Sequence, residues 1–458
     1  MAAKKIQAQL TPEEKLQQAL VPEAEQPYKV PANWCWVKAG IVTNIFNGNS
    51  INEKIKAEKY YGKKEGLIFI ATKDIGFDNV VNYETNVKIT DYQNFKIAPA
   101  NTALLCIEGG SSGRKVGFVD QNVCFGNKLC AFASNIINSK FIYYILQSQC
   151  FYDQFNNKRH GLIGGVSIKD LAEMYFMIPP LAEQQRIVER IESLFAKLDE
   201  AKENMQNVLE GFETRKAAIL HKAFTGELTA KWRKQHGVSM DTWKEKKLGD
   251  VTDILSSKRI YKNEYVNEGI PFFRSSEIVD LYEYGYTEPK FFISKDRYDE
   301  INKKYGVPEV GDLLVTSVGT IGKTWIVDER KFYYKDGNIT QVKKNSSINM
   351  KYLNYFICSE NFKKQVSDTV AGTAYNALTI IKFKNILISI PTLPEQTKIV
   401  RIIDGLLAKE QQANELSENA LAKIDLIKKA ILARAFRGEL GTNNPADEPA
   451  VELLKRVL

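Results

Sequence analysis

One stripe of apolar side chains, repeating at alternating steps of four and three, dominates the middle of the chain. It runs through Ile187, Ile191, Leu194, Leu198, Ala201, Met205, Val208, Phe212 and Ile219, with Arg215 taking one place in the series. This spacing describes a coiled-coil seam over about five heptads. Pro179 and Pro180 stop whatever precedes, no proline interrupts residues 183–228, and Gly226 is placed to end the helix. Glu183 falls in the first turn, where the helix dipole favours an anion. Roughly 40 residues at 1.5 Å rise would extend about 60 Å. A second stretch, Glu395 to Gly438, carries Ile399, Ile403, Leu406, Ala413, Ala420, Ile424, Ile427 and Ile431 in the same rhythm. It also sets Glu410 and Ser417 into the seam, so its middle must pack differently.

The two stretches are copies. Ile178-Pro-Pro-Leu-Ala-Glu-Gln-Gln-Arg-Ile-Val188 matches Ile390-Pro-Thr-Leu-Pro-Glu-Gln-Thr-Lys-Ile-Val400, and Lys216-Ala-Ala-Ile-Leu-His-Lys-Ala-Phe-Thr-Gly-Glu-Leu228 matches Lys428-Lys-Ala-Ile-Leu-Ala-Arg-Ala-Phe-Arg-Gly-Glu-Leu440. Both anchors are offset by 212 residues (178 to 390, 228 to 440). A weaker match, Gly40-Ile-Val-Thr-Asn-Ile45 with Gly249-Asp-Val-Thr-Asp-Ile254, precedes each, shortly after Trp36 and Trp243. A period of about 210 residues is too long for a solenoid. The chain is therefore two similar units, each a divergent globular part followed by a near-constant helical part.

The globular parts, residues 30–180 and 241–392, read as mixed α and β, so the fold class is α+β. Leu67-Ile-Phe-Ile70, Leu104-Leu-Cys-Ile107, Leu313-Leu-Val-Thr316 and Ile386-Leu-Ile-Ser-Ile390 are strand-like, and Ile270-Pro-Phe-Phe273 is another. Segments 139–148 and 350–359 are short amphipathic helices in matching places. Long helical spacers are expected over 181–240 and 393–440. A helical segment over 1–29, with the capping-box pattern of Thr11 and Glu14, and a tail helix over 441–458 would flank them. Basic and aromatic residues gather on the loops between elements, notably 109–115, 156–160, 256–262 and 332–335. Such groups suit contacts with phosphates and base edges, although solvated loops of this composition also occur on proteins that bind nothing.

Composition narrows the class. The net charge of +8 is compatible with a polyanionic partner without demanding one. No apolar run approaches the ~20 residues of a membrane span, and the amino terminus lacks the apolar core of a signal peptide. Six scattered cysteines without a C-x-x-C pair fit free thiols in a reducing cytoplasm, and three histidines share no ligand-like spacing with them. No metal site and no cofactor are expected. Gly319-Thr-Ile-Gly-Lys-Thr324 resembles a phosphate-binding loop, but Ser317 stands where its first glycine belongs. Glu329 and Lys331 have a nuclease-like spacing with no acidic partner evident, and no Asn/Asp-Pro-Pro-Tyr/Phe methylation motif occurs. A catalyst is not expected.

Taken together, the two helical motifs, Ala223-Phe-Thr-Gly-Glu-Leu-Thr229, Asn33-Trp-Cys-Trp-Val37 and Gly311-Asp-Leu-Leu-Val-Thr-Ser-Val-Gly-Thr-Ile-Gly-Lys323 resemble the specificity subunits of type I restriction–modification systems. The resemblance covers nearly the whole chain. It implies two target-recognition domains, each reading one half of a split double-stranded DNA site. The long helices would lie antiparallel as a coiled coil, separate the domains and dock two methyltransferase subunits. Those partners would bind S-adenosylmethionine, and restriction subunits would use ATP and magnesium. The first domain departs from the pattern with Asn101-Thr-Ala-Leu-Leu105 where the second has Gly311-Asp-Leu-Leu314. DNA contact is expected from Arg114, Lys115, Lys158 and Arg159 in the first domain, and from Lys258, Arg259, Arg274, Ser275 and Lys323 in the second. Two other readings fit the same residues. One is a coiled-coil scaffold with twin protein-binding domains and no DNA; the other is the specificity partner of a system that only methylates.

Overall fold

Short apolar runs broken by glycine-rich turns build two small sheets in each globular part. The computed structural model describes residues 11–159, 164–370, 377–456 and 458. Residues 1–10 of the expected amino-terminal helical segment, and His160 of the 156–160 loop, lie outside these. The chain divides into two compact units, residues 1–204 with 419–458, and residues 205–418.

In the first unit, strands Asn44–Asn47, Leu129–Ala133, Thr102–Cys106 and Val116–Val119 lie side by side, all antiparallel. A second sheet orders Lys88–Ile89, Leu67–Ile70, Val123–Phe125 and Ile97–Ala98, its central pair parallel. Cys35–Lys38 pairs with Tyr175–Ile178 and closes the domain. Thr102–Cys106 is buried throughout because the strand's two faces serve two cores. Ala103 and Leu105 face one, with Phe132, Phe141 and Phe176; Leu104 and Cys106 face the other, with Phe125 and Val119. Burial pushes the Cys35 and Cys130 thiols up to about 12, so neither is a ready nucleophile.

The second unit repeats this connectivity. Ile254–Leu255, Ile339–Val342, Leu313–Thr316 and Thr324–Ile326 form one sheet; Tyr265–Val266, Phe292–Ile293, Ile270–Phe273 and Tyr333–Tyr334 form the other; and Lys244–Lys247 pairs with Leu387–Ile390. The other sheet again holds one parallel pair, Ile270–Phe273 with Tyr333–Tyr334, but here the pair lies at the sheet's edge and not at its centre. The units differ at its edge. Ile97–Ala98 lies beside the parallel pair in the first, while Tyr265–Val266 lies at the opposite edge in the second.

The first long helix runs from Leu181 to Glu210 and resumes from Phe212 to Phe224, so the single helix expected through residue 226 is divided at Gly211. Arg215 folds back over this glycine and donates to the Val208 carbonyl at 2.7 Å, the space a Cβ at 211 would need. Gly226, at φ +82°, ends the helix, and a short helix, Ala230–His236, follows; residues 181–240 are not one helix. The second long helix, Leu393–Ala435, is unbroken over 43 residues. Of the expected seam, Ile187 and Ile191 enter the first core, Ile399 and Ile403 enter the second, and Ile424 is buried. Leu194, Leu198, Met205, Phe212, Ile219, Leu406 and Ile431 are half-buried. Ile427 is 43% exposed and leaves the seam, where Leu432 and Phe436 are buried instead. The polar intrusions have partners or cover: Arg215 Nε meets Glu410 at 2.7 Å, and Ser417 is buried. In the first unit Lys428 pairs with Asp199 at 2.6 Å.

Thr11 and Glu14 form the expected capping box on helix Pro12–Ala19, which packs on the tail helix Ala450–Lys455. No described helix is long and apolar enough to cross a membrane.

Candidate nucleic-acid interface

The repeated Pro-x-Leu-x-Glu-Gln segment fixes each globular domain to its helix. Gln184 accepts from the Asn138 backbone N–H at 2.8 Å and donates to the Pro179 carbonyl at 3.0 Å. Gln396 makes the same pair with Asn349 and Pro391, at 2.7 and 2.9 Å. Asn138 and Asn349 in turn cap the equivalent helices Ser139–Leu146 and Met350–Ile357. Each glutamate of the motif lies in the first turn of its helix, as expected of Glu183, and is fully buried there among hydrogen-bond donors. Glu183 accepts from Trp34 Nε1 at 2.7 Å and Asn443 Nδ2 at 2.8 Å. Glu395 accepts from Arg233 and Thr229, both at 2.6 Å. Thr229 follows the Gly-Glu-Leu motif of the first repeat, and Thr442 and Asn443 follow that of the second. Each domain is therefore sealed by the start of its own long helix and the end of the other.

The glycine loops are equivalent turns. Cys106 N–H donates to Lys115 O at 3.0 Å and Gly113 N–H to Cys106 O at 2.8 Å; Thr316 with Lys323, and Gly322 with Thr316, repeat this at 2.9 Å. The glycines at 113 and 322 take φ +74° and +87°. What the loops carry differs. In the first domain Arg114 and Lys115 meet no carboxylate among the described residues. They lie 5.5 and 4.8 Å from the ring of Phe77, with Arg114 also bonded to the Gly110 carbonyl and Lys115 to that of Thr72. Lys73 and Lys56 are near; burial raises the Asp74 carboxyl above its usual range while these lysines and Lys115 pull the other way. Arg159 donates to Ser112 Oγ at 2.6 Å, joining the neighbouring loop, and Lys158 is exposed at the end of helix Gln149–Asn157.

In the second domain most of the expected cations are neutralised. Arg274 contacts Glu277, itself buried, and lies 4.5 Å from the Phe291 ring. Burial opposes ionisation of Glu277, yet hydrogen bonds from the Arg274 side chain and backbone and from Ser276 hold its pKa below the ordinary value. Arg259 pairs with Asp336 at 2.8 Å, and Lys323 with Glu283 beside the Tyr282 ring. Ser275 bonds the Asn338 carbonyl at 3.4 Å. Lys258 lies over Tyr305 at 4.4 Å, with Lys304 at 5.2 Å from the same ring. Composition gave no sign of Phe77 and Tyr305; exposed aromatics flanked by cations emerge only from the folded loops.

Twin domains of one topology, each locked to two helix ends and bearing basic loops of different composition, define a duplicated α+β protein in which variable surfaces ride on constant struts. The model of the type I restriction modification DNA specificity domain matches residues 31–210 and 240–419, and the chain belongs to that family. Its role is that of a DNA specificity subunit, a recognition component without catalysis. The type I restriction enzyme EcoKI specificity subunit of Escherichia coli strain K12 is 26% identical over 448 residues, covering 92% of both chains. The EcoBI specificity subunit of Escherichia coli is 23% identical over 445 residues, 91% of this chain and 88% of that one. The solved HsdS subunit from Thermoanaerobacter tengcongensis shares the fold at a TM-score of 0.66 and 19% identity, over 91% of this chain and all of that one.

Proposed function

We propose that the chain reads an asymmetric, bipartite double-stranded DNA site in the cytoplasm, one half-site per domain, while its helices dock two methyltransferase subunits and restriction subunits complete the assembly. The carrying observation is that the two domains keep the same four-stranded antiparallel sheet while their equivalent loops differ in charge pairing: Lys115 forms no ion pair among the described residues and Lys323 is held by Glu283. One scaffold with two different reading surfaces suits two different half-sites. A solved relative with a TM-score of 0.59 carries a title on complex assembly and conformational transition of the type I system, which supports a role within a larger machine.

The long helices act as an antiparallel coiled-coil spacer in this reading. The ion pairs support it, because the partner number falls from 428 to 410 as the first helix advances from 199 to 215. Arg114, Lys115, Lys158, Arg159 and Lys258 are the DNA-facing cations; Arg259, Arg274, Ser275 and Lys323 serve first to hold the second domain's loops.

The test is to replace residues 30–180 with the corresponding domain of a relative, keeping Trp34, Asn138 and Phe141 for their contacts with the helices, and to map methylated sites in the host. One half of the site should change and the other stay. Simultaneous change of both halves would rule out independent reading. Binding by the assembled complex should also fall steeply with salt, as phosphate contacts require.

A further inference from the structure

Phe77 is 66% exposed on a turn that is far from loose. Gly76 N–H donates to the Val80 carbonyl at 2.9 Å, and Asn79 N–H to that of Gly76 at 3.2 Å. Asn79, held at φ +65°, accepts from the Val116 backbone at 3.0 Å and donates to Gln147 at 2.9 Å. The turn is thus tied to a core strand and to a buried helix, and it displays both Phe77 and Val80, the latter 62% exposed. A large apolar ring this exposed adds little to the packing of its own domain beyond the contacts of the cations beside it. Its neighbours are Lys115 and Arg114, at 4.8 and 5.5 Å from the ring.

We infer that Phe77 is a specificity-determining residue of the first domain, contacting the thymine methyl of one A·T pair in the major groove while Arg114 and Lys115 hold the adjoining phosphates. The inference rests on the proposed reading of this domain as a half-site reader. Cations lie over the ring, so a base cannot stack there without displacing them; the ring edge remains, and an apolar edge suits the one apolar group that a base pair presents in that groove. The rigid turn lets the contact form without ordering a loop. Tyr305, 52% exposed between Lys258 and Lys304, is dressed in the same way in the second domain, on an unrelated sequence.

The experiment compares methylated sites in cells whose specificity subunit is wild type, Phe77→Ala or Phe77→Leu, then measures binding by the assembled methyltransferase complex. Phe77→Ala should relax a single A·T position in one half-site, and Phe77→Leu should largely keep it. Replacing that thymine by uracil should weaken wild type about fourfold, the worth of burying one methyl-sized group, and leave Phe77→Ala unmoved. Uniform weakening at every sequence, or an equal effect of uracil on both proteins, overturns the inference. Should Phe77→Ala fail to assemble, uracil scanning of the wild-type site decides alone: no thymine whose methyl matters means no such contact. The double variant Arg114→Ala with Lys115→Ala separates the two levels. If it weakens binding while Phe77→Ala changes nothing, only this inference falls; if neither has an effect, the DNA-facing role of the loop falls too.

Discussion

Arg274 stands at the end of strand Ile270–Phe273, where a side chain could reach a groove, but its guanidinium is spent on Glu277. Removing it leaves a buried carboxylate with only the Arg274 backbone N–H and the Ser276 hydroxyl. Arg274→Ala should therefore lower the stability of the second domain by about 1–3 kcal/mol, the cost of an under-satisfied buried group, and leave the methylated sequence unchanged. Thermal unfolding together with site mapping checks this; an altered half-site at full stability would return Arg274 to the interface. The signal was present in the sequence, since Arg274-Ser-Ser-Glu277 places an acid where a capping residue bonds the start of a helix. The Lys323–Glu283 and Arg259–Asp336 pairs were not legible, because their partners lie 40 and 77 residues away.

At the scale of the helices, each apolar stripe was readable as a long helix because its spacing follows the turn. Its imperfections followed a logic that one strand of sequence cannot display. Arg215 and Glu410 each looked like a flaw in its own stripe, yet they meet across a separation of 195 residues. Gly211 breaks the first helix where the second continues, and Ile427 drifts outward because a straight helix outruns a strict seven-residue repeat. The ion pair is part-exposed, with side chains 37% and 23% accessible, so screening limits it to about 1 kcal/mol. Arg215→Glu should destabilise the chain by about that amount through like-charge contact, and adding Glu410→Arg should restore most of it. Denaturant midpoints of the two variants measure the coupling; additive losses would show that the residues do not interact.

For the molecule as a whole, duplication was legible from two anchors with one offset, whereas the shared sheet topology was not. Several of its strands are only two residues long, such as Lys88–Ile89 and Phe292–Ile293, and carry no usable periodicity. If the helices set the distance between half-sites, inserting seven residues into both, near Met205 and near Ser417, lengthens the spacer by about 10 Å. That corresponds to roughly three base pairs, with each half-site retaining its identity. Full-strength methylation of the original site, with its original spacing, would defeat the ruler. The sealing of each domain by the far helix end has a further consequence in time. Residues 205–418 are contiguous and can close as soon as they leave the ribosome. The first domain is completed later: Glu183 meets Thr442 and Asn443, and Phe141 meets Phe436, only once those residues have been made. At ordinary synthesis rates that wait is on the order of tens of seconds. The half of the protein that is made first is the last to be finished, and the final forty residues, 419–458, are its keystone.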